Sequence, residues 1–314
     1  MRFQIILVLA LLVFSTSVCS AQNAPSSSVG EDISKISTLE NPRAAHTATR
    51  LLDGSVLIVG GVQQNETFYD DAEIFNPSKN AFTTLENKLT KKRVSHTATL
   101  LRDGRVLIVG GWSNQTSPDN TAEVFDPKSQ KFSSVGKMKF RRSAHTATLL
   151  ESGKVLIVGG HDGKRSFDET ELFDPETNTF TQAAEMKIAR KIHTASRLKD
   201  GRVLITGGDS GSRTIIADAE IYDPKTNEFT QLTARMNVAR YKHDAVVLND
   251  GKVLIFGGSD ERDWSGRLKT AEIFDPATEE FQATSEMNFA RFKIAETAVV
   301  LRNGDVLIGG GNGD

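Results

Sequence analysis

A single unit repeated six times, at steps of 48 to 51 residues, constrains this chain more than any other property of its sequence. Its clearest marker is an Arg-x-x-His tetrapeptide that ends at His46, His96, His145, His193 and His243. Counted from its arginine, the sixth copy has Ile294 at that position. The arginines are Arg43, Arg93, Arg142, Arg190, Arg240 and Arg291, and only His161 lies outside the series of histidines. A repeat of this length is one supersecondary unit that cannot bury its apolar face alone, so neighbours must stack to make a core.

Each unit reads as four short strands. "HTATLL", at His96 to Leu101, comes first, and Asp103-Gly104 then suits a two-residue hairpin because such pairs tolerate positive φ. The second strand, "VLIVGG" at Val106 to Gly111, is apolar without alternation, so both of its faces must be covered. "AEIFNP" at Ala72 to Pro77, "AEIFDP" in later copies, supplies the third strand and an Asp-Pro turn. Phe82, Phe132, Phe180, Phe229 and Phe281 mark the fourth, where they are expected to fill gaps between units.

The composite "RxxHTATLLxDGxVLIVGG…AEIFDPxTNxF" resembles the kelch repeat, the blade of kelch β-propellers in the galactose oxidase superfamily. Phe stands where that family has a fourth-strand Trp, and Leu where it has a second-strand Tyr. The resemblance implies an all-β propeller of six blades, each of four antiparallel strands. Five copies are complete; the sixth stops at "VLIGGGNGD" without its third and fourth strands. Ile33 and Leu39 precede Arg43 at the distances by which Phe180 and Met186 precede Arg190, so residues 33–41 are expected to lend the last blade a fourth strand. The edge still left open is a predicted aggregation hazard.

Arg2, the apolar run Ile5 to Phe14 and the small residues up to Ala21 read as a secretory signal peptide over 1–21. The run is too short to span a bilayer. A polar, Ser-rich tether over 22–32 and the propeller over 33–314 follow. Cleavage after Ala21 would remove Cys19, the only cysteine, and leave no disulfide, thiolate metal site or cysteine nucleophile. This composition suits a secreted or periplasmic protein. A net charge of −2 gives no electrostatic case for binding nucleic acid. No cofactor or membrane span is expected, and the chain is expected to be a monomer.

Residues present in every copy answer a structural need that recurs, whereas an active site needs one constellation. Glu73, Glu123, Glu171, Glu220 and Glu272 match the arginines in number and are expected to pair with them, with the histidines bonding nearby backbone. A ring of imidazoles around the axis is too wide for a metal, whose ligands lie about 2.0–2.1 Å from it. The Gly-Gly pairs lack the Lys-Ser/Thr of a phosphate loop.

Function is therefore sought where the copies differ, at the mouth formed by the Arg-x-x-His segments and the loops after Gly-Gly. Between Arg and His, blades one to three carry only small residues: Ala44-Ala45, Val94-Ser95 and Ser143-Ala144. Blades four to six carry Lys191-Ile192, Tyr241-Lys242 and Phe292-Lys293, and the matching loops add Arg213, Arg262, Trp264 and Arg267. Aromatic and cationic groups suit stacking on a sugar or clamping an acidic side chain. Asp244 and Glu296 are unusual acids on first strands and the only acid/base candidates. The leading expectation is an exported module that binds a protein or glycan. The alternative is a sugar-active enzyme resembling the kelch sialic-acid epimerases. A copper oxidase of the galactose-oxidase type lacks its Tyr-Cys cross-link here.

Overall fold

The computed structural model describes residues 37–63, 67–211, 214–260, 266–292 and 298–309. They form five four-stranded antiparallel sheets and one two-stranded sheet, each with its strands side by side in chain order. Blade one comprises β1 (Thr47–Arg50), β2 (Val56–Val59), β3 (Ala72–Asn76) and β4 (Ala81–Thr84). Blade two comprises β5 (Thr97–Leu100), β6 (Val106–Val109), β7 (Ala122–Asp126) and β8 (Lys131–Ser134). Blade three follows with β9 (Thr146–Leu149), β10 (Val155–Val158), β11 (Thr170–Asp174) and β12 (Thr179–Gln182). Blade four has β13 (Thr194–Arg197), β14 (Val203–Thr206), β15 (Ala219–Asp223) and β16 (Glu228–Gln231). Blade five has β17 (Asp244–Val247), β18 (Val253–Phe256), β19 (Ala271–Asp275) and β20 (Glu280–Ala283). Blade six is incomplete, with β21 (Ala298–Val300) and β22 (Val306–Ile308). The first strands of successive blades lie against one another, so they are innermost.

The unbroken apolar second strand follows from this stacking. Leu57 and Val59 of blade one pack on Val106, Ile108 and Phe125 of blade two, while Leu107 and Val109 face Val155, Ile157 and Phe173 of blade three. Alternate residues thus serve opposite interfaces, and Val106 to Val109 are wholly buried. Removing such side chains from water stabilises by roughly 1.5–3 kcal/mol each. Each fourth-strand Phe lies first against its own blade, across from a third-strand aromatic: Phe75–Phe82, Phe125–Phe132, Phe173–Phe180, Tyr222–Phe229 and Phe274–Phe281 all have ring centroids 4.9 Å apart.

The Asp-Gly hairpins are one residue longer than their sequence suggests. Leu51 and Ser55 still pair (2.8 Å), Gly54 N–H closes a turn on Leu51 O, and only Gly54 has positive φ, at 87°. A three-residue loop ending in a left-handed glycine has this geometry. The aspartate accepts instead of turning, with Asp53 Oδ1 taking hydrogen bonds from the N–H and hydroxyl of Ser55.

By the alignment of Ile33 with Phe180, the strand expected from residues 33–41 falls outside the described residues, and residues 37–41 match 184–188, which follow β12 without forming a strand. Residues 37–41 form no strand, and the N–H groups of Glu40 and Asn41 donate to Glu73 in blade one. Residues 33–36 lie outside the described residues. The core against blade six is thin, with Phe256 and Ala271 buried beside Val246, Leu254, Met287, Ala298 and Ile308. Val299 and Leu307 are more than half exposed, at 53% and 57%.

Candidate functional site

Beneath the mouth, one bonding pattern repeats. Arg142 donates from Nη2 to Glu171 Oε1 at 2.9 Å and from Nη1 to Gly159 O at 2.6 Å. Arg43–Glu73, Arg93–Glu123, Arg190–Glu220 and Arg240–Glu272 make the same pair at 2.7–3.0 Å, every side chain buried. The second oxygen of Glu171 accepts from Lys139 N–H, and that of Glu220 from Lys187 N–H, so each carboxylate also holds the chain entering its blade. Burial pushes the Arg142, Arg190 and Arg240 pKa values down while the glutamates oppose the shift.

The histidines stitch blade to blade. Nε2 of His96, His145, His193 and His243 bonds the hydroxyl of Thr47, Thr97, Thr146 and Thr194 of the preceding blade, at 2.9–3.1 Å. These Nε2 partners are side-chain hydroxyls, and His96 in addition interacts with the Arg93 backbone, as expected. Burial, then the adjacent arginines, lowers their pKa values, that of His96 to about 3. The glycine pairs serve the same seam. Gly160 N–H donates to Arg190 O at 2.9 Å, and a Cβ on Gly159 would lie 2.4 Å from that carbonyl.

Above this layer the mouth is built from one further rung per blade. The residue after Arg bridges the residue after Gly-Gly, giving Ala44↔Val62, Val94↔Trp112, Ser143↔His161, Lys191↔Asp209 and Tyr241↔Ser259. Small partners leave room for large ones. Val94 and Ser143 face Trp112 and His161, whereas Lys191 and Tyr241 face Asp209 and Ser259. The two rings of Trp112 and His161 are 5.9 Å apart, tilted by 56°. Gly163 N–H donates to His161 Nδ1 at 3.1 Å, which places the proton of the neutral ring on Nε2. Burial first, and Lys191 second, hold the His161 pKa down to about 4. Lys191 Nζ lies 3.5 Å from Asp209. In blade five, Lys242 lies 4.5 Å over the Tyr241 ring and 5.8 Å from Phe292.

A family model described as the Attractin/LZTR1 β-propeller matches residues 26–268. The chain belongs to this kelch-type propeller family. A solved structure entitled "Structure of YjhT" shares the fold, with a TM-score of 0.70 and 14% identity over 89% of this chain and 93% of that one. A comparison with curated protein sequences finds no match.

The propeller places the sequence candidates unevenly. Lys191, Tyr241, Lys242, Phe292 and Arg267 are on the mouth side, but the rings of Tyr241 and Phe292 are buried, leaving little face for stacking. Arg213, Arg262, Trp264, Lys293 and Glu296 lie outside the described residues. Asp244 stands where other blades have the stitching threonine, and its carboxylate accepts from Ala245 N–H (2.9 Å) and Ala298 N–H (3.0 Å), tying blade five to blade six. By sheet register Ala245 and Ala298 are equivalent, yet they follow Arg240 and Arg291 by five and seven residues. Trp112, His161 and Asp209 escaped the sequence reading, which looked between Arg and His and found blades two and three bland. The signal was one residue past each Gly-Gly. Among the described residues no group of three or more His, Cys, Asp or Glu could hold a metal ion.

Proposed function

We propose that the propeller is an exported binding module whose mouth recognises a carbohydrate. The observation that carries this reading is the Trp112–His161 pair beside Lys191 and Asp209. An indole offers a flat apolar surface with a polar tip, suited to the C–H face of a sugar ring. The neutral imidazole adds an uncharged N–H donor. The Lys191–Asp209 pair adds a donor and an acceptor with no net charge. Polyhydroxylated ligands need this mixture, whereas an acidic side chain would call for an unpaired cation. Export rests on the signal-like segment over 1–21 and on the absence of cysteine after it. Asp244 is engaged in the seam between blades, which favours binding over acid/base catalysis.

A glycan array of neutral and sialylated sugars, probed with wild type and Trp112→Ala, tests the reading. The expected result is a wild-type signal that falls about tenfold or more in the variant, a loss of at least ~1.4 kcal/mol. No glycan signal, or equal signals, would sink it. Turnover of a sialic acid or hexose that vanished in Glu296→Gln would establish the enzyme instead.

A further inference from the structure

The segment that links blades two and three, residues 135–142, borders both the loop carrying Trp112 and the loop carrying His161. Met138 N–H donates to Asn120 O at 2.9 Å, Asn120 Nδ2 returns a bond to Met138 O at 3.0 Å, and Arg142 N–H donates to Asp119 O at 3.2 Å. These bonds fix the segment to the Trp112 loop. On its other side Phe140 lies 5.6 Å from Phe167, in the His161 loop. Alternate residues serve this anchoring: Met138 is buried, Phe140 is half-buried, and Arg142 is paired with Glu171. The residues between them, Lys137, Lys139 and Arg141, are exposed.

No other link between blades has three cations and no acid. Residues 85–92 include Glu86, and there Lys88 pairs with Asp70 and Lys91 with Asp119. Residues 183–189 balance Lys187 with Glu185, residues 232–239 hold only Arg235, which pairs with Asp218, and residues 284–290 hold Glu286 and no cation. Among the described residues Lys137, Lys139 and Arg141 form no ion pair. Lys139 Nζ donates to the neutral Gln182 at 3.2 Å and lies 5.3 Å over the Phe140 ring. The neighbouring acids have partners of their own. Asp119 has Lys91, Glu171 has Arg142, Asp168 and Glu169 share Arg165, and Asp162 accepts from the N–H groups of Lys164 and Arg165. Glu185 accepts from Gln182. With Lys92, Lys164 and Lys187 included, nine cationic groups stand against these six acids, on a chain whose net charge is −2.

We infer that the carbohydrate taken at the mouth is an acidic polysaccharide, a chain of sugar rings bearing carboxylates or sulfates. This rests on the carbohydrate reading above and names the class of sugar. The Trp112–His161 and Lys191–Asp209 pairs carry no net charge, so they read a ring face and its hydroxyls. Charge along the ligand is read by the strip beside them, with Arg141 offering a planar fork and the lysines point charges. Each exposed cation contributes little singly, so binding needs several anions at once, which a repeating polymer supplies. The backbone bonds of the segment hold the strip in place and lower the ordering cost. An acidic peptide offers the same charges without a hydroxylated ring for Trp112.

Calorimetric titration of the full chain with an oligogalacturonate, a heparin oligosaccharide, a malto-oligosaccharide of the same length and oligoglutamate tests the inference. One or both acidic oligosaccharides are expected to bind at least about tenfold more tightly than the other two ligands, and less tightly as salt is raised. Which of them binds separates carboxylate from sulfate. Combined Lys137→Gln, Lys139→Gln and Arg141→Gln should weaken that binding about tenfold or more and flatten its salt dependence, with the thermal midpoint within about 2 °C of wild type. Trp112→Ala should weaken it as well. Equal or tighter binding of the neutral oligosaccharide, lost in Trp112→Ala and kept in the triple variant, would overturn the acidic class and leave the carbohydrate reading standing. Equal binding of oligoglutamate, or acidic binding that survives either variant, would also overturn the inference. Absence of binding by every oligosaccharide would overturn both.

Discussion

Arg142 and Glu171 show at the level of single residues why the repeat conserves charge inside an apolar stack. Each guanidinium has buried carboxylate and carbonyl acceptors, so removing one partner strands the other without water. Glu171→Ala is expected to cost about 3–5 kcal/mol in denaturant unfolding, and Arg142→Met combined with Glu171→Leu far less than that single change. The residue before each histidine has a different constraint. Ala45, Ser95, Ala144, Ile192 and Lys242 all have φ of 52–55°, and Ile192 N–H uses that corner to donate to Ala144 O at 3.0 Å. A β-branched side chain is strained there. Ile192→Asn should therefore stabilise the propeller by about 1 kcal/mol, read as a higher thermal midpoint. The equal copy numbers of Arg and Glu made their pairing legible in the sequence. The strain at Ile192 was not, because no spacing rule reports a positive φ.

For the blade, the glycine pair and the histidine act as one seam. Gly159 is close to Arg190 of the next blade and has φ of 60°, so Gly159→Ala combines a backbone overlap with a left-handed penalty of roughly 1–2 kcal/mol. A loss of at least about 2 kcal/mol in unfolding free energy is expected. Sequence alone gave the four strands, because apolar runs, Asp-Gly pairs and Asp-Pro turns are local signals. It missed the inter-blade partners of the histidines, since Thr97 and His145 meet only after two blades have docked. It also left two side chains out of the mouth. Val94 and Ser143 look uninformative until the bridge opposite them places Trp112 and His161, and a small residue there is what makes room for the larger one.

Across the whole molecule, the buried histidines set the acid limit. His96, His145, His193 and His243 are held neutral by burial, with Arg93, Arg142, Arg190 and Arg240 and the adjoining histidines further opposing protonation. Their folded pKa values lie below the ordinary value of 6.5, so the unfolded chain binds more protons beneath that pH. Their contribution is complete above pH 6.5 and is lost as pH falls towards about 3, the value for His96. Each costs about 1.4 kcal/mol per pH unit in that window. The unfolding midpoint should therefore drop steeply from pH 6.5 to 5, and His145→Asn should lessen the slope by about one proton. The central claim is that repeated residues build the scaffold while blade-specific mouth residues bind. Its most direct test measures glycan binding and the thermal midpoint together for Trp112→Ala and Glu171→Gln. Trp112→Ala is expected to bind at least about tenfold more weakly with its midpoint within about 2 °C of wild type, whereas Glu171→Gln is expected to melt several degrees lower and, while folded, still to bind. Intact binding in Trp112→Ala, or loss of binding with an unchanged midpoint in Glu171→Gln, would contradict it.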